Sequence, residues 1–322
     1  MRILVTGGHG FIGSHVLKQL VDSNEVACFD IAEASPIAQE VADDVTFIRG
    51  DVTDPVSVYN AVASFEPDRI IDLVSLLGRE SQQQPRAAVE VNLLGSITLL
   101  EAAVNLDVER VIVGSTASTY GDMPPENESF DEETPQQPTN TYGVTKYALE
   151  HIGSTYQDRG VEFAAIEPVH GLGPDRVRGS VEDAYILKAA VSGTPITVPD
   201  VEYPFEIIYV EDEARAFCTA TLAEELSYDR YLIGTGTQVT LGEIVEIVRD
   251  VLPDAPIQLA AIDDDNQQLR RRPPSDSSRI RDDLGWEPQY SAREAIVAYI
   301  NWLQDNPEKW SFDAEELPWD AV

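Results

Sequence analysis

Apolar residues in the first half of the chain form short continuous runs, and stretches with a helical spacing separate these runs. Runs rich in Val, Ile and Leu cover residues 2–6, 25–30, 45–48, 69–74, 110–114 and 161–167. In the first intervening stretch, Ile12, Val16 and Leu20 recur on one helical face. Strands that are apolar throughout are typical of a parallel sheet buried on both faces, and their alternation with helices predicts that architecture.

Further helices and one returning strand are predicted along the rest of the chain. Asp54-Pro55 indicates a helix start, because an acid caps the first turn and proline suits its first position. Helical spacing covers residues 85–106, 141–158, 210–222, 241–251 and 292–303. Residues 231–233 are predicted as a strand that returns to the sheet, and the Pro-, Glu- and Asp-rich stretch 121–140 as a loop.

The pattern loosens after Pro168, where glycine and proline recur as far as Pro204. This change predicts a second, smaller lobe made from loops and short elements. The predicted fold is therefore a doubly wound α/β domain with a smaller C-terminal lobe. We assign residues 1–167 and 205–235 to the domain, and residues 168–204 and 236–322 to the lobe.

Composition supports a packed globular protein and excludes several classes of partner. Of the 322 residues, 43% are apolar and 25% charged, with 57 acids against 22 basic residues and a formal net charge of −35. This balance argues against nucleic acid and against anionic membrane surfaces. No apolar run approaches the roughly 18 residues of a membrane span, and the N-terminus has no secretory pattern. Cys28 and Cys218 form neither a disulfide framework nor a zinc motif, so we expect a protein of the reducing cytoplasm.

The acidic excess also predicts a dependence on salt. Four lysines accompany eighteen arginines, and the acids occur in runs such as Asp131-Glu132-Glu133. At low salt the self-repulsion of such a surface destabilises the compact state, whereas ~1 M salt shortens the screening length to about 3 Å. The surface resembles that of proteins from salt-loving organisms, and we expect a halophilic source.

A glycine-rich turn joins the first predicted strand to the first helix. Residues 8–13 read G-H-G-F-I-G, which matches the G-x-G-x-x-G pattern of dinucleotide-binding turns. The glycines permit close approach of a pyrophosphate, and the helix N-terminus offers its N–H groups to the phosphates. Asp30 ends the second strand, the position of an acid that binds ribose hydroxyls. Since no basic residue follows Asp30 closely, NAD is favoured over NADP.

Candidate acid–base chemistry comes from a tyrosine, a lysine and a hydroxyl. Tyr142 and Lys146 are spaced i, i+4 and share one helical face. A nearby ammonium lowers the pKa of a phenol from its usual ~10, so Tyr142 can act as a base. The hydroxyls of Ser115-Thr116-Ala117-Ser118 follow the fifth strand, at the sheet edge where ligands bind. The histidines fit turn or packing positions without a carboxylate–histidine motif, so no metal site is expected.

These segments together resemble the extended short-chain dehydrogenase/reductase family, which contains NAD-dependent sugar epimerases and dehydratases. The similar segments are T-G-G-H-G-F-I-G at 6–13, G-D-V-T-D at 50–54, V-N-L-L-G at 91–95, G-S-T-A-S-T-Y-G at 114–121, Y-G-V-T-K at 142–146 and L-G-W-E-P at 284–288. The resemblance implies a Rossmann-type NAD-binding domain, a substrate-binding lobe, and Thr116, Tyr142 and Lys146 as catalytic residues. The implied NAD-binding residues are Gly7, Gly10, Phe11, Ile12, Gly13, Asp30, Asp51, Val52, Leu73, Val74, Asn92, Tyr142, Lys146 and Pro168.

Departures from the family pattern bear on the substrate. Members that act on nucleotide sugars carry R-x-x-N-x-x-G-P after the sixth strand, where this chain has Glu167 and His170 at the Arg and Asn positions. They also carry an arginine where this chain has Phe205. Since an arginine binds a diphosphate and these residues do not, a nucleotide diphosphate substrate is in question. The basic run 270–272 either replaces that anchor or neutralises the acidic run 263–265.

Two reaction types stay open at this point. The dehydratase branch is disfavoured, because its members place Asp-Glu after the active-site threonine and this chain has Ala117-Ser118. An epimerase that retains NAD is the first hypothesis. The second is a simple dehydrogenase of a free sugar, polyol or amino alcohol, similar to short-chain threonine dehydrogenases, that releases NADH. A non-catalytic NAD-binding protein is a third interpretation, disfavoured by the intact catalytic set.

Candidate substrate residues and an assembly complete the expectations. Arg79 follows the fourth strand and could bind a carboxylate, and Ser118, His170 and Arg176 are the other candidates for contact with a small-molecule substrate. The resemblance further implies a homodimer through the helices at 85–106 and 141–158.

Overall fold

The computed structural model describes residues 1–123, 128–178, 181–200, 204–261 and 272–313. The strands in these ranges are β1 (Arg2–Thr6), β2 (Glu25–Asp30), β3 (Val45–Arg49), β4 (Arg69–Asp72), β5 (Arg110–Gly114), β6 (Glu162–Pro168), β7 (His170–Leu172), β8 (Ile196–Asp200), β9 (Phe205–Tyr209), β10 (Arg230–Ile233), β11 (Gln238–Val239) and β12 (Ile257–Ala261). A parallel sheet has the order β10-β6-β5-β4-β1-β2-β3. The predicted doubly wound sheet is confirmed, and its order reverses between β1 and β4, where such folds bind ligands.

Helices cover both faces of this sheet. They are α1 (Phe11–Leu20), α2 (Pro36–Gln39), α3 (Pro55–Phe65), α4 (Gly78–Gln83), α5 (Pro85–Val89), α6 (Ser96–Asn105), α7 (Thr141–Ser154), α8 (Glu182–Ser192), α9 (Val210–Leu222), α10 (Leu241–Val251), α11 (Ser278–Leu284) and α12 (Ala292–Asp305). Apolar side chains of α1 and α9 pack on one face of the sheet, and those of α3, α6 and α7 pack on the other. As predicted, Asp54 caps α3 by accepting the Val56 N–H at 3.1 Å.

The predicted helix 85–106 is built from three pieces. Between α5 and α6 the backbone is π-helical over Glu90–Gly95, with Asn92 and Gly95 buried. A π turn shifts the side-chain register, and here it directs Asn92 towards the loop after β4. The run Pro85–Asn105 is long and apolar enough to pass a test for a membrane span, with a mean hydropathy of 1.5. A core helix of a globular protein passes the same test, and α6 packs on the sheet.

The C-terminal part of the described chain has a core of its own. Helices α8, α10 and α12 enclose a two-stranded sheet, β8 with β12, and apolar side chains from all five elements form one cluster. Strands β7, β9 and β11 form a separate three-stranded sheet, so Phe205–Tyr209 lies outside the seven-stranded sheet. The loops predicted for 168–204 contain α8, an eleven-residue helix that ends at Gly193 with φ +69°. The surrounding glycines and prolines masked its periodicity in the sequence.

Candidate active site

The turn between β1 and α1 has the shape that a dinucleotide phosphate group needs. Gly7 has φ +69°, a conformation that favours glycine. A Cβ on Gly7 would lie 2.9 Å from the carbonyl carbon of Leu73 and from the amide nitrogen of Val74. A Cβ on Gly13 would lie 2.1 Å from the carbonyl oxygen of Gly7. Glycine at both positions therefore keeps α1 and the chain after β4 close to the turn.

Helix α1 begins directly at this turn. Gly10 is its N-cap and makes no side-chain capping bond, so no N-cap side chain occupies the N–H groups of the first turn at Phe11 and Ile12. Those groups and the positive end of the helix dipole suit a pyrophosphate. The Phe11 ring lies under the guanidinium of Arg176, with 5.3 Å between the guanidinium carbon and the ring centroid. The turn thus borders the later part of the chain.

Asp30 ends β2 with its carboxylate held against the turn. Its Oδ2 accepts the His9 N–H at 3.0 Å, and its Oδ1 accepts the Ala32 N–H at 2.9 Å. A carboxylate oxygen has a second lone pair, so both oxygens can still accept ribose hydroxyls. The geometry fits the predicted ribose-binding role.

The same turn brings three possible metal-ligand atoms within 4.8 Å of one another, from His9, Cys28 and Asp30. The His9 Nδ1 is already bonded to the Ala32 carbonyl oxygen at 2.8 Å. Burial raises the pKa of the Cys28 thiol, with Asp30 adding to the rise, so the thiol stays protonated and is a poor ligand. We interpret this group as part of the dinucleotide turn.

Two further predicted NAD-binding pairs flank the turn. After β3, the Asp51 Oδ1 accepts the Thr53 N–H and the Thr53 hydroxyl, both at 2.8 Å, and Val52 is buried beside Gly95. After β4, the Leu73 N–H bonds to the Thr6 carbonyl at 3.1 Å, and the sheet pairing of β4 ends at Asp72. The predicted fourth strand is therefore two residues too long, because Leu73 and Val74 turn past Gly7. Pro168 ends β6 beside Ile233.

Tyr142 lies in the first turn of α7, close to the segment that follows β5. The Asn140 side chain caps α7 by accepting the Gly143 N–H at 2.9 Å. A Cβ on Gly143 would lie 2.6 Å from the Ser118 carbonyl oxygen, so this glycine lets α7 approach that segment. The hydroxyls of Thr116 and Ser75 lie close enough to the Tyr142 hydroxyl to lower its pKa. The structure thus brings Tyr142 and Thr116 together and adds Ser75.

Burial is the largest influence on the pKa of Tyr142. Burial raises the pKa of Tyr142 to about 12, while the nearby hydroxyls of Thr116 and Ser75 act in the opposite direction. The charges that act most strongly on this phenol are the Glu213 carboxylate, which raises its pKa, and the Arg176 guanidinium, which lowers it. From the sequence, Lys146 was predicted to be the cation that lowers the pKa of Tyr142.

Lys146 lies one helical turn after Tyr142 and is buried. Burial lowers the pKa of Lys146 to about 8, whereas the carboxylates of Asp72 and Glu150 favour its charged form. Asp72 is itself held by hydroxyl donors, from Thr6 to Oδ1 and from Ser96 to Oδ2, each at 2.5 Å. Lys146 is therefore a buried amine whose charged form the carboxylates of Asp72 and Glu150 favour.

The Asn92 side chain forms hydrogen bonds with other groups of the protein. Its Oδ1 accepts the Leu76 N–H at 2.7 Å, and its Nδ2 donates to the Leu76 carbonyl at 2.9 Å and to the Thr145 hydroxyl at 3.2 Å. The side chain is fully buried. Asn92 was predicted to bind NAD, and the structure places it where it fixes the loop after β4 against α7.

The predicted substrate residues fall into two groups. On β7, the His170 Nε2 lies 2.8 Å from the Asp183 Oδ2, and the His170 Nδ1 lies 3.4 Å from the Arg176 Nη2. The Phe205 ring packs edge-on against His170, with 5.2 Å between ring centroids. Ser118 and Arg79 lie elsewhere: Ser118 follows Thr116 in a 3₁₀ turn, and Arg79 is exposed on α4. His170 and Arg176 thus share one cluster with Phe205 and Asp183.

Position 167 lies in the interior of the sheet. Glu167 is fully buried, and its Oε2 accepts the Tyr120 hydroxyl at 2.6 Å. The Arg230 Nη1 lies 3.4 Å from the Glu167 Oε1. Burial raises the pKa of Glu167 well above its usual range, and the neighbouring Glu150 adds to the rise. Reading Glu167 as evidence against a diphosphate substrate is therefore wrong, because this side chain is enclosed by protein groups. Arg270 and Arg271 of the basic run 270–272 lie outside the described residues, and so does the whole acidic run 263–265.

Sequence reasoning missed Ser75, Asp183 and Glu213. Ser75 follows a buried strand at its carboxyl end, and that position could have singled it out. Asp183 and Glu213 are charged residues on helical faces that are otherwise apolar, which is the available signal for a buried carboxylate.

Comparisons with known proteins agree with this geometry. Residues 3–234 match the NAD dependent epimerase/dehydratase family. The UDP-glucose 4-epimerase of Halalkalibacterium halodurans is 28% identical over 98% of this chain and 99% of its own length. The dTDP-glucose 4,6-dehydratase of Escherichia coli is 26% identical over 96% of this chain and 95% of its own length.

A solved structure gives the same answer for the fold. The UDP-glucose 4-epimerase of Thermus thermophilus, crystallised with NAD, superimposes with a TM-score of 0.82 at 30% identity and covers 94% of this chain and 98% of its own. The family match spans more than half of this chain, and the glycine turn with Asp30 fits the family's cofactor, NAD. The chain belongs to the NAD-dependent epimerase/dehydratase family, within the extended short-chain dehydrogenase/reductases.

Proposed function

We propose that this protein is an NAD-dependent epimerase that inverts a secondary alcohol of a sugar-like substrate by way of a transient ketone. The grouping of Tyr142 with the hydroxyls of Thr116 and Ser75 carries the proposal, because it places a proton-transfer residue beside hydroxyls that can hold a substrate oxygen. The names of the relatives at 28% and 30% identity favour epimerisation over simple oxidation. Ala117-Ser118 after Thr116 disfavours dehydration.

In this proposal Tyr142 is the acid–base residue. Its phenol oxygen takes the proton of the substrate hydroxyl as the ketone forms, and returns it when the alcohol forms again. Thr116, with Ser75, orients the substrate oxygen towards the phenol. Lys146 binds the ribose next to the nicotinamide and, together with Arg176, favours the phenolate. Bound NAD supplies the hydride acceptor and, in its oxidised form, a positive charge.

Residues of the glycine turn hold NAD in this proposal. Gly7, Gly10 and Gly13 leave room for the pyrophosphate, and the N-terminus of α1 binds it. Asp30 accepts the ribose hydroxyls, and its charge repels a 2′-phosphate. The remaining contacts are assigned to Asp51, Val52, Leu73, Val74 and Pro168, with Asn92 fixing the loop between them.

The substrate contacts are assigned to the C-terminal part of the chain. The proposed substrate residues are His170, Arg176, Ser118 and Arg79. The proposed substrate lobe consists of residues 168–204 and 236–322. The dehydrogenase alternative keeps one specific observation in its favour. Phe205 contacts His170 where an arginine would bind a diphosphate, so a free sugar, polyol or amino alcohol stays in the test panel.

One experiment separates the two reactions. Enzyme with NAD is incubated in concentrated KCl with UDP-glucose, UDP-galactose, free sugars, polyols and L-threonine, and NADH absorbance and stereoisomer content are followed together. The proposal predicts interconversion of stereoisomers without accumulation of NADH. Stoichiometric NADH without interconversion would replace it with the dehydrogenase.

Assembly and environment are part of the same proposal. We expect a cytoplasmic homodimer in which α5, α6 and α7 pack against their copies, because Val89, Leu94, Val144 and Ile152 expose apolar side chains on these elements and the turn between them. Sedimentation of wild type and Leu94→Glu tests the dimer, which the charged variant should dissociate. The acidic surface is proposed as an adaptation to high salt.

A further inference from the structure

Helix α7 continues past Lys146 with a buried acid on the same face. Tyr142, Lys146 and Glu150 are spaced four residues apart, so the three side chains share one face of the helix. Lys146 and Glu150 are each only 2% exposed. The proposed chemistry uses the tyrosine and the lysine but gives Glu150 no role, although a glutamate is almost never buried to this degree unless it is paired.

The Glu150 carboxyl group is tied to the segment that carries Thr116. The Ser115 hydroxyl donates to the Glu150 Oε1, and the Gln136 Nε2 donates to its Oε2 at 2.6 Å. Ser115 directly precedes Thr116, whose hydroxyl lies beside the Tyr142 phenol. Glu150 therefore holds one end of the short segment that brings Thr116 to the reacting tyrosine.

A second buried acid faces the same donors. Glu167 on β6 is fully buried, and the Gln136 Nε2 that binds Glu150 lies 3.4 Å from the Glu167 Oε1. The Arg230 Nη1 also lies near both acids, at 3.4 Å from the Glu167 Oε1 and 3.8 Å from the Glu150 Oε2. Two buried carboxyl groups thus share one amide and one guanidinium.

The charges around this pair do not balance if both acids are ionised. Lys146 and Arg230 supply two positive charges, whereas Asp72, Glu150 and Glu167 would supply three negative ones. The other titratable groups around the pair are Tyr120, Glu132, Asp229 and Arg279, of which Glu132 is paired with Arg279. An unpaired buried carboxylate is costly, so one acid of the pair keeps a proton.

Glu167 is the acid better suited to keep that proton. Glu150 receives the serine and glutamine donors described above and lies one helical turn from Lys146, and each of these stabilises a carboxylate. The close donor to Glu167 is the Tyr120 hydroxyl, at 2.6 Å from its Oε2. Burial raises the pKa of both acids, and that of Glu167 lies well above its usual range, with Glu150 adding to the rise.

We propose that Glu150 is a positioning residue for the catalytic set, and that a proton held by Glu167 keeps Glu150 in its carboxylate form. The Glu150 carboxylate anchors Ser115, and through it Thr116, and its negative charge keeps Lys146 charged. The consequence for turnover rests on the proposed function, whereas the protonation of the pair does not.

Infrared difference spectroscopy tests whether the pair holds a proton, and it needs neither substrate nor turnover. Protonated carboxyl groups and carboxylates absorb at separate frequencies, so the spectrum of a variant subtracted from that of the wild type shows which form was lost. At pH 7, Glu167→Gln should remove a protonated-carboxyl band and leave the carboxylate bands in place. Loss of a carboxylate band would show that both acids are ionised and would overturn the proposal.

The pH dependence of NAD binding shows which acid carries the charge. Lys146 loses its proton around pH 8, and NAD affinity should fall there. Glu150→Gln removes a carboxylate one turn away, so the fall should move to lower pH by about one unit, the smaller end of the effect of an opposite charge at ~4–6 Å.

The matched control is Glu167→Gln, because glutamine has the shape of a protonated glutamate and should leave the NAD profile in place. Coincident profiles of the wild type and Glu150→Gln would overturn the charge assigned to Glu150. A shift in Glu167→Gln equal to that in Glu150→Gln would do the same, because it would assign the charge to both acids.

Turnover tests the anchor itself. Ser115→Ala removes the anchored hydroxyl and leaves both acids in place, so kcat should fall by about tenfold while KM stays nearly unchanged, because misplacing a catalytic hydroxyl costs rate more than binding. A wild-type kcat in Ser115→Ala would show that the anchor does not position Thr116. The infrared and Ser115→Ala measurements decide the proposal if Glu150→Gln folds poorly.

The outcomes separate this inference from the function on which it rests. If the wild type converts no substrate of the panel but the NAD profile of Glu150→Gln is shifted, the epimerase proposal fails together with the expected effect on kcat, and the charge on Glu150 stands. If the wild type interconverts stereoisomers and Glu150→Gln binds NAD with the profile of the Glu167→Gln control, the inference about Glu150 fails alone.

Discussion

The glycine turn and the cluster behind His170 meet where Arg176 lies over Phe11, yet they are built from different materials. The turn uses backbone: Gly7 and Gly13 are needed for close approach, and the helix N-terminus supplies the binding groups. The cluster uses side chains, with buried carboxyl groups on Asp183 and Glu213 that depend on neighbouring side chains for their environment.

This difference decides how each part is encoded. A few consecutive residues specify a backbone site, because the turn and its helix are adjacent in sequence. The cluster combines residues from β7, α8 and α9 that are up to 43 positions apart, from His170 to Glu213. The first part therefore suits a cofactor shared by a family, and the second can change with the substrate.

Tyr142→Phe should separate turnover from NAD binding most sharply. The ring is kept, but the transferable proton is lost, so turnover should fall by about 10²–10⁴-fold while NAD affinity stays within about twofold. Rates and NAD titrations are compared with Tyr147→Phe, whose ring packs against His151 on the same helix. Retention of more than a tenth of the wild-type rate would remove Tyr142 from the mechanism.

Gly13→Ala should damage the backbone site. Its methyl group would meet the Gly7 carbonyl oxygen at 2.1 Å, so α1 must shift and NAD affinity should drop by more than about a hundredfold. Gly78→Ala is the matched control, because a Cβ there meets nothing within 4 Å. Fluorescence titration of NAD measures both variants. Equal affinities would mean that the turn does not bind the cofactor.

Local encoding also explains how far the sequence predicts the structure. The strands, the Asp54 cap and the glycine turn follow from patterns within ten residues of each other. The proximity of Ser75 to Tyr142 and of Glu213 to Gly171 depends on how distant segments cross. Likewise, the interior position of Glu167 became evident only once Tyr120 and Arg230 were located around it.

Asp30→Asn should change the choice of cofactor more modestly. The amide keeps the shape and part of the hydrogen bonding but removes the charge that repels a 2′-phosphate. We expect the preference for NAD over NADP to narrow by roughly tenfold to a hundredfold, a loss of one charge-assisted interaction. Paired titrations with NAD and NADP measure it. Equal affinities already in the wild type would contradict the role of Asp30.

The pH dependence of NAD binding tests the buried ammonium. With a pKa lowered to about 8, Lys146 is charged below pH 8 and becomes neutral above it. NAD affinity should therefore fall as the pH rises through 8, by roughly tenfold between pH 7 and 9 if only the charged form binds the ribose. Lys146→Arg keeps its charge in this range and should show a flat profile. A flat wild-type profile would separate Lys146 from the cofactor.

The smallest expected effect contrasts exposed and buried carboxylates. Salt screens charges in water but hardly reaches buried ones, so the thermal midpoint of the wild type should rise between dilute buffer and ~1 M KCl because surface repulsion weakens. Glu224→Gln with Glu225→Gln removes two exposed negative charges and should reduce that rise by about 1–2 °C, since a chain of this size gains about 2–4 °C per kcal/mol.

The control for this prediction is Glu213→Gln, which changes a buried carboxyl group and should shift the midpoint equally at every KCl concentration. Calorimetric scans of the three proteins over one KCl series give the slopes directly. A wild-type midpoint independent of KCl would refute the salt-adapted surface, whereas a changed slope in Glu213→Gln would mean that this carboxyl group is exposed to solvent ions.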